Sequence, residues 1–166
     1  MWQLTILLRH GNHMIKLNDG KRTLRFSGAL LGKSSSFTKD SLRWIEFELY
    51  KTQAGQYILW RSGKSKVLHT IWCNKKLDSI PSNAIQLDNF SLCKKCHPSS
   101  VETYLSPELP RNKVINTKSA NSVVKSLYMT DENDVKYLTK VATDLLEQAS
   151  GVDEGICKAY KEEYID

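Results

Sequence analysis

Three of the four cysteines and two of the four histidines fall within residues 69–98, HTIWCNKKLDSIPSNAIQLDNFSLCKKCHP. They are spaced as His69-x3-Cys73, an interval of 19 residues, then Cys93-x2-Cys96 followed by His97 and Pro98. A structural Zn²⁺ takes four soft or borderline ligands in a tetrahedron, at about 2.3 Å for thiolate sulfur and about 2.0 Å for imidazole nitrogen. Two cysteines separated by two residues reach one ion from a single tight turn. A His and a Cys four positions apart face the same way from a strand end or a first helical turn. The spacing therefore predicts one structural Zn²⁺ held by His69, Cys73, Cys93 and Cys96, with His97 as the alternative to His69. A closed four-ligand shell has no open position for water, which argues for a structural metal. A redox pair is disfavoured because no βαβ pattern surrounds Cys93 and Cys96. A disulfide scaffold is disfavoured because four cysteines among 166 residues are sparse. Independent buried cysteines are the remaining alternative.

The same residues resemble a known module. An apolar flank, His69-x3-Cys73, a loop and Cys-x2-Cys-x-Pro at Cys93–Pro98 are similar to the Ada-type metal-binding module of bacterial alkylation-response proteins, over about thirty residues. That module carries four cysteines, the first of which accepts a methyl group from a DNA phosphotriester, and His69 stands at that place here. An imidazole cannot act as the thiolate nucleophile. The resemblance implies a structural zinc and DNA contact, without methyl transfer. Similar modules accompany some bacterial nucleases.

Charge is distributed unevenly around this stretch. Residues 1–100 hold 16 Lys/Arg against 6 Asp/Glu, whereas residues 101–166 hold 8 against 12, which together make the net charge of +6. A basic segment attracts polyanions through many weak, salt-sensitive contacts. Arg43, Arg61, Lys64 and Lys66 are interleaved with Trp44, Tyr50, Tyr57 and Trp60, the pairing of cation and ring that single-strand binders use. The same composition also describes a half-buried sheet. Lys75, Lys76, Lys94 and Lys95 flank the predicted ligands, so these eight cations are the candidate nucleic-acid contacts.

The hydropathy pattern predicts an α+β chain: an antiparallel β-sheet with an attached zinc module, followed by a C-terminal helical segment. Residues 1–100 read as a basic β-rich domain containing the module at about 65–100, and residues 101–166 as an acidic, mainly helical segment packed on or beside it. The opening MWQLTILL reads as a strand and has no basic leader or cleavage site, which predicts a cytoplasmic protein. Asn18-Asp19-Gly20 marks a hairpin. Gly32 and three consecutive serines within Leu30–Asp40 predict a loop. Residues 42–50 alternate, sending Trp44, Glu46, Glu48 and Tyr50 to one face and Ile45, Phe47 and Leu49 to the other. Turns are expected at Gln53–Gly55 and Ser62-Gly63, with a third strand ending on His69. Farther on, residues 119–128 have helical spacing, Thr130-Asp131-Glu132 opens a helix that Gly151 closes, and residues 152–164 form a last helix with Cys157 on its apolar side.

Catalytic signatures are weak. The chain has no phosphate-binding Gly-rich loop, no HExxH and no Gly-x-Ser-x-Gly. His10 and His13 lack an accompanying carboxylate motif, and Glu46 with Glu48 reads better as a solvated face than as a metal pair. The expectation is a non-catalytic, zinc-stabilised nucleic-acid binder, DNA before RNA, with no membrane segment. The alternatives are a protein-interaction adaptor or inhibitor, of a mobile-element or phage type, that uses the acidic helices, and a nuclease-associated subunit.

Overall fold

The Asn18-Asp19-Gly20 signal forms the hairpin it predicts. In the computed structural model, which describes residues 14–70, 91–92 and 105–162, Met14–Asn18 (β1) pairs antiparallel with Thr23–Ser35 (β2). Gly20 takes φ 93° in the turn, where a side chain would be strained. The amides of Lys21 and Arg22, then the Arg22 guanidinium, donate to the Asp19 carboxylate and lower its pKa to about 2.

Strand β2 continues through the predicted loop, a correction with a packing reason. A bulge between Leu30 and Gly32 shifts the register against Arg43–Thr52 (β3), so that Gly32 and Ser34 turn toward the helices. A Cβ on Gly32 would lie 3.1 Å from the Leu145 carbonyl oxygen, and the Ser34 hydroxyl donates to the Val141 carbonyl (2.7 Å). The residues that read as loop formers are a helix-docking surface. Strand β3 pairs with Tyr57–Ser65 (β4) across the expected turn, where Gly55 has φ 77°. No turn forms at Ser62-Gly63: β4 runs through both residues because each pairs with β3 on one side and with another strand on the other.

Beyond Lys66 the chain leaves this sheet. Val67–Thr70 (β5) pairs in parallel with Ser91–Leu92 (β6) and antiparallel with Leu105–Pro107 (β7) in a three-stranded sheet. Arg111–Thr117 (β8) then returns to the edge of the large sheet, whose order is β1-β2-β3-β4-β8 and whose pairings are all antiparallel.

The helices follow. Ala120–Leu127 (α1) is capped by the Ser119 hydroxyl, which accepts from the Ser122 amide. Tyr128–Thr130 (β9) and Lys136–Leu138 (β10) make a hairpin where the helix was expected to begin. Asp131 accounts for the difference: its Oδ1 accepts from the amides of Asn133 and Val135, and Asp134 takes φ 60°. Helix α2, Lys140–Ser150, starts ten residues later than Thr130, capped by Thr139, and ends at Gly151 as predicted. Glu154–Glu162 (α3) completes the described chain. Cys157 on α3 is half-buried, while the adjacent Ile156 is fully buried.

Three helices thus cover one face of the sheet. Phe47, Leu49, Tyr57 and Leu59 from the strands meet Val123, Leu145, Leu146 and Ile156 from the helices in the main core. Each fully buried leucine there contributes about 2 kcal/mol by area. A smaller cluster of Leu17, Tyr50 and Ile58, flanked by Phe26 and Trp60, lies on the other face. The predicted alternation of β3 is observed, with Phe47 and Leu49 facing the helices. Asp153 pins the helical layer to the sheet, accepting from the Tyr57 hydroxyl (2.8 Å), the Lys51 ammonium (2.6 Å) and the Ile156 amide (2.9 Å). Among the described residues no helix is long and apolar enough to cross a membrane.

Candidate functional site

The two faces of the sheet treat their charges differently. On the face away from the helices, Lys33 pairs with Glu48 (2.6 Å) and Lys64 with Glu46 (2.7 Å). Trp44 Nε1 also donates to Glu46, and the Tyr50 hydroxyl to Glu48. Burial would raise the Glu46 carboxyl, but Lys64 and Trp44 outweigh it and hold the group below its usual range. Burial and the neighbouring Glu48 carboxylate push the Tyr50 hydroxyl well up. The cations of that face are largely neutralised, so it attracts a polyanion only weakly.

Beyond the helices, the helix-side face carries cations without such partners. Arg61 stands directly opposite Lys113 across the β4–β8 pairing, and Gly63 stands opposite Arg111. All three cationic residues are exposed, and none has a carboxylate partner among the described residues. Like charges directly opposite on antiparallel strands repel. Arg61 and Arg111 line a cleft of about 550 Å³ together with Arg43, Lys64, Trp44 and Glu108. A second cavity of about 430 Å³ shares Arg61 with the first and adds Lys113 at a mainly apolar lining.

One wall of the cleft leads to the predicted metal ligand. The Arg43 guanidinium grips Glu108 through two hydrogen bonds (2.9 and 2.6 Å), and Glu108 Oε1 lies 2.8 Å from His69 Nε2. His69 is fully buried on β5. A carboxylate on one imidazole nitrogen fixes the ring and its tautomer, the usual arrangement behind a metal-bound histidine. The parallel pairing of β5 with β6 sets Leu68 beside Leu92, the residues that precede His69 and Cys93 in the chain. Cys73, Cys93, Cys96 and His97 lie outside the described residues, as do Lys75, Lys76, Lys94, Lys95, His10 and His13. Among the described residues no group of three or more His, Cys, Asp or Glu side chains is placed to hold a metal.

Of the other predicted contacts, Arg43, Arg61 and Lys64 come together in the cleft, with Arg43 and Lys64 engaged by carboxylates. Lys66 lies over the Phe37 ring, 4.8 Å from its centroid. The aromatic residues expected to stack on bases are otherwise occupied: Tyr50 and Tyr57 are buried, and Trp60 Nε1 donates to the Asn18 carbonyl. Arg111 and Lys113 were missed because they belong to the segment whose net charge is acidic. The local signal was the alternation of residues 111–117, which puts both on the face that holds Ile115. No family model, curated protein or solved structure matches this chain.

Proposed function

We propose that this chain is a zinc-stabilised protein that binds nucleic acid through the helix-side face of its sheet. The observation that carries the reading is the set Arg61, Lys113 and Arg111: exposed cations on adjacent strands, with Arg61 directly opposite Lys113, Arg61 and Arg111 in the open cleft and Lys113 in the adjoining cavity, and without carboxylate partners among the described residues. Phosphates would relieve the repulsion between the opposed cations and release the counterions condensed on the polymer, which makes such binding salt-dependent. The zinc part is supported by His69, whose ring is oriented by Glu108 and Arg43, and by the pairing of the strands that lead to His69 and Cys93. Bound there, the metal would tie the segment after β5 to the sheet, and its binding energy would become folding energy.

Native mass spectrometry of the protein, alone and with short oligonucleotides at two salt concentrations, tests both parts. One zinc per chain and complexes that fade as salt rises are expected. Arg61→Glu with Lys113→Glu should abolish the complexes and keep the zinc. Zinc without any complex would overturn the nucleic-acid part and favour a protein partner on the acidic helices. A chain free of zinc would overturn the metal part.

A further inference from the structure

We infer that the apolar cavity beside Arg61 seats one unpaired base of a single-stranded nucleic acid whose backbone follows the cations. The inference rests on the nucleic-acid reading and names its substrate class. At about 430 Å³ the cavity lies within the size range of ligand pockets, roughly 300–1,000 Å³. Its lining includes Phe47, Leu59, Leu127, Tyr128 and Met129, while Arg61 and Lys113 supply its positive charge. An apolar chamber with cations on its border fits a flat, weakly polar body that carries an anion, which is the chemistry of a nucleotide.

Continuity of charge decides between a polymer and a free nucleotide. Arg61 and Ile45 belong to both the cavity and the adjoining cleft, and the cleft extends the cations to Arg111, beside the Arg43–Glu108 ion pair. That array is longer than one phosphate requires. A duplex keeps its bases paired and stacked, so only an unpaired or extruded base can enter a chamber of this kind. Inside, rings and a thioether offer contacts that every base face can use. Of the hydroxyls on the lining, Ser126 Oγ donates to the Val123 carbonyl (2.7 Å), while Ser36 Oγ accepts from the Ile45 amide (2.9 Å) and Thr139 Oγ1 from the Ala142 amide (3.3 Å).

The test compares three probes on the full-length protein at one low salt concentration. They are oligothymidine of about 12 nucleotides, within the footprint of single-domain strand binders, a baseless deoxyribose-phosphate strand of equal length, and the matching duplex. Oligothymidine should bind about tenfold tighter than the baseless strand, the scale of one lost stack, and tighter than the duplex. Methyl resonances of Leu127, Met129 and Val141 should shift only with bases present. Met129→Ala, at an exposed strand position, should weaken oligothymidine about threefold and leave the baseless strand unaffected. Equal affinity for the three probes, or unshifted methyl resonances, would overturn the inference while sparing the basic face. Failure to bind any of the three would overturn both.

Discussion

Single residues hold the helical layer and the candidate site in place, and each has a measurable consequence. Burial would raise the Asp153 carboxyl, but the Lys51 ammonium, the Ile156 amide and the Tyr57 hydroxyl outweigh it and hold the group below its ordinary value of 3.8. A carboxylate with a lowered folded-state pKa stabilises fully above its unfolded pKa, and that contribution is lost as pH falls through the lowered value. Asp153→Asn is therefore expected to cost about 3 kcal/mol at pH 7, since it leaves a largely buried partner set unmatched. The gap to the parent chain should narrow in acid below about pH 4. Urea unfolding at neutral and acid pH checks both expectations. Gly155 sits against the same cluster, with a Cβ there placed 2.6 Å from the Tyr57 hydroxyl oxygen, so no larger residue fits without displacing it. Around His69, Glu108→Ala should weaken zinc about tenfold or more, as loss of an orienting carboxylate does. Competition with a chromogenic chelator measures this, and unchanged affinity would detach Glu108 from the metal.

At the scale of elements, local hydrogen bonding decides where structure begins. Thr130 and Thr139 both precede acceptable helix sequence, yet only Thr139 caps a helix, its hydroxyl accepting from the Ala142 amide. Thr139→Ala should cost about 1 kcal/mol, whereas Thr130→Ala, on an exposed strand position, should stay within about 0.5 kcal/mol. Thermal unfolding of the two variants separates them, and equal losses would contradict the hairpin at 128–138. The bulge in β2 works at the same scale. It reverses which face the strand presents, so Phe26 joins the far cluster while Gly32 and Ser34 meet α2.

For the molecule as a whole, the proposed binding surface is a product of two distant segments. β4 carries Arg61 and β8 carries Arg111 and Lys113, and their antiparallel pairing makes one basic face from a basic and an acidic half of the sequence. Arg61→Ala and Lys113→Ala should each weaken binding similarly for all sequences and lower the slope of log affinity against log salt by about one. Fluorescence anisotropy across a salt series measures the slope. An unaltered slope in both variants would place the phosphates elsewhere. Lys64→Ala should change the slope less, because Glu46 already neutralises that ammonium.

Local patterns in the sequence determined the β1–β2 hairpin at Asp19-Gly20, the two faces of β3, the end of α2 at Gly151 and the α+β class, because each depends on backbone preference or periodicity within a few residues. His69 does lie in a strand, but the expected third meander strand from Ser65 is not formed: Ser65 ends β4, and β5 runs from Val67 to Thr70 in a separate sheet. Tertiary structure alone decided the rest. Gly32 and Ser34 are strand residues because α2 packs on them, Ser62-Gly63 stays extended because strands pair on both sides, and Tyr50 and Tyr57 are buried by neighbours remote in the chain. Arg61 and Lys113 are 52 positions apart, and no local pattern reports a repulsion that exists only once their strands are side by side.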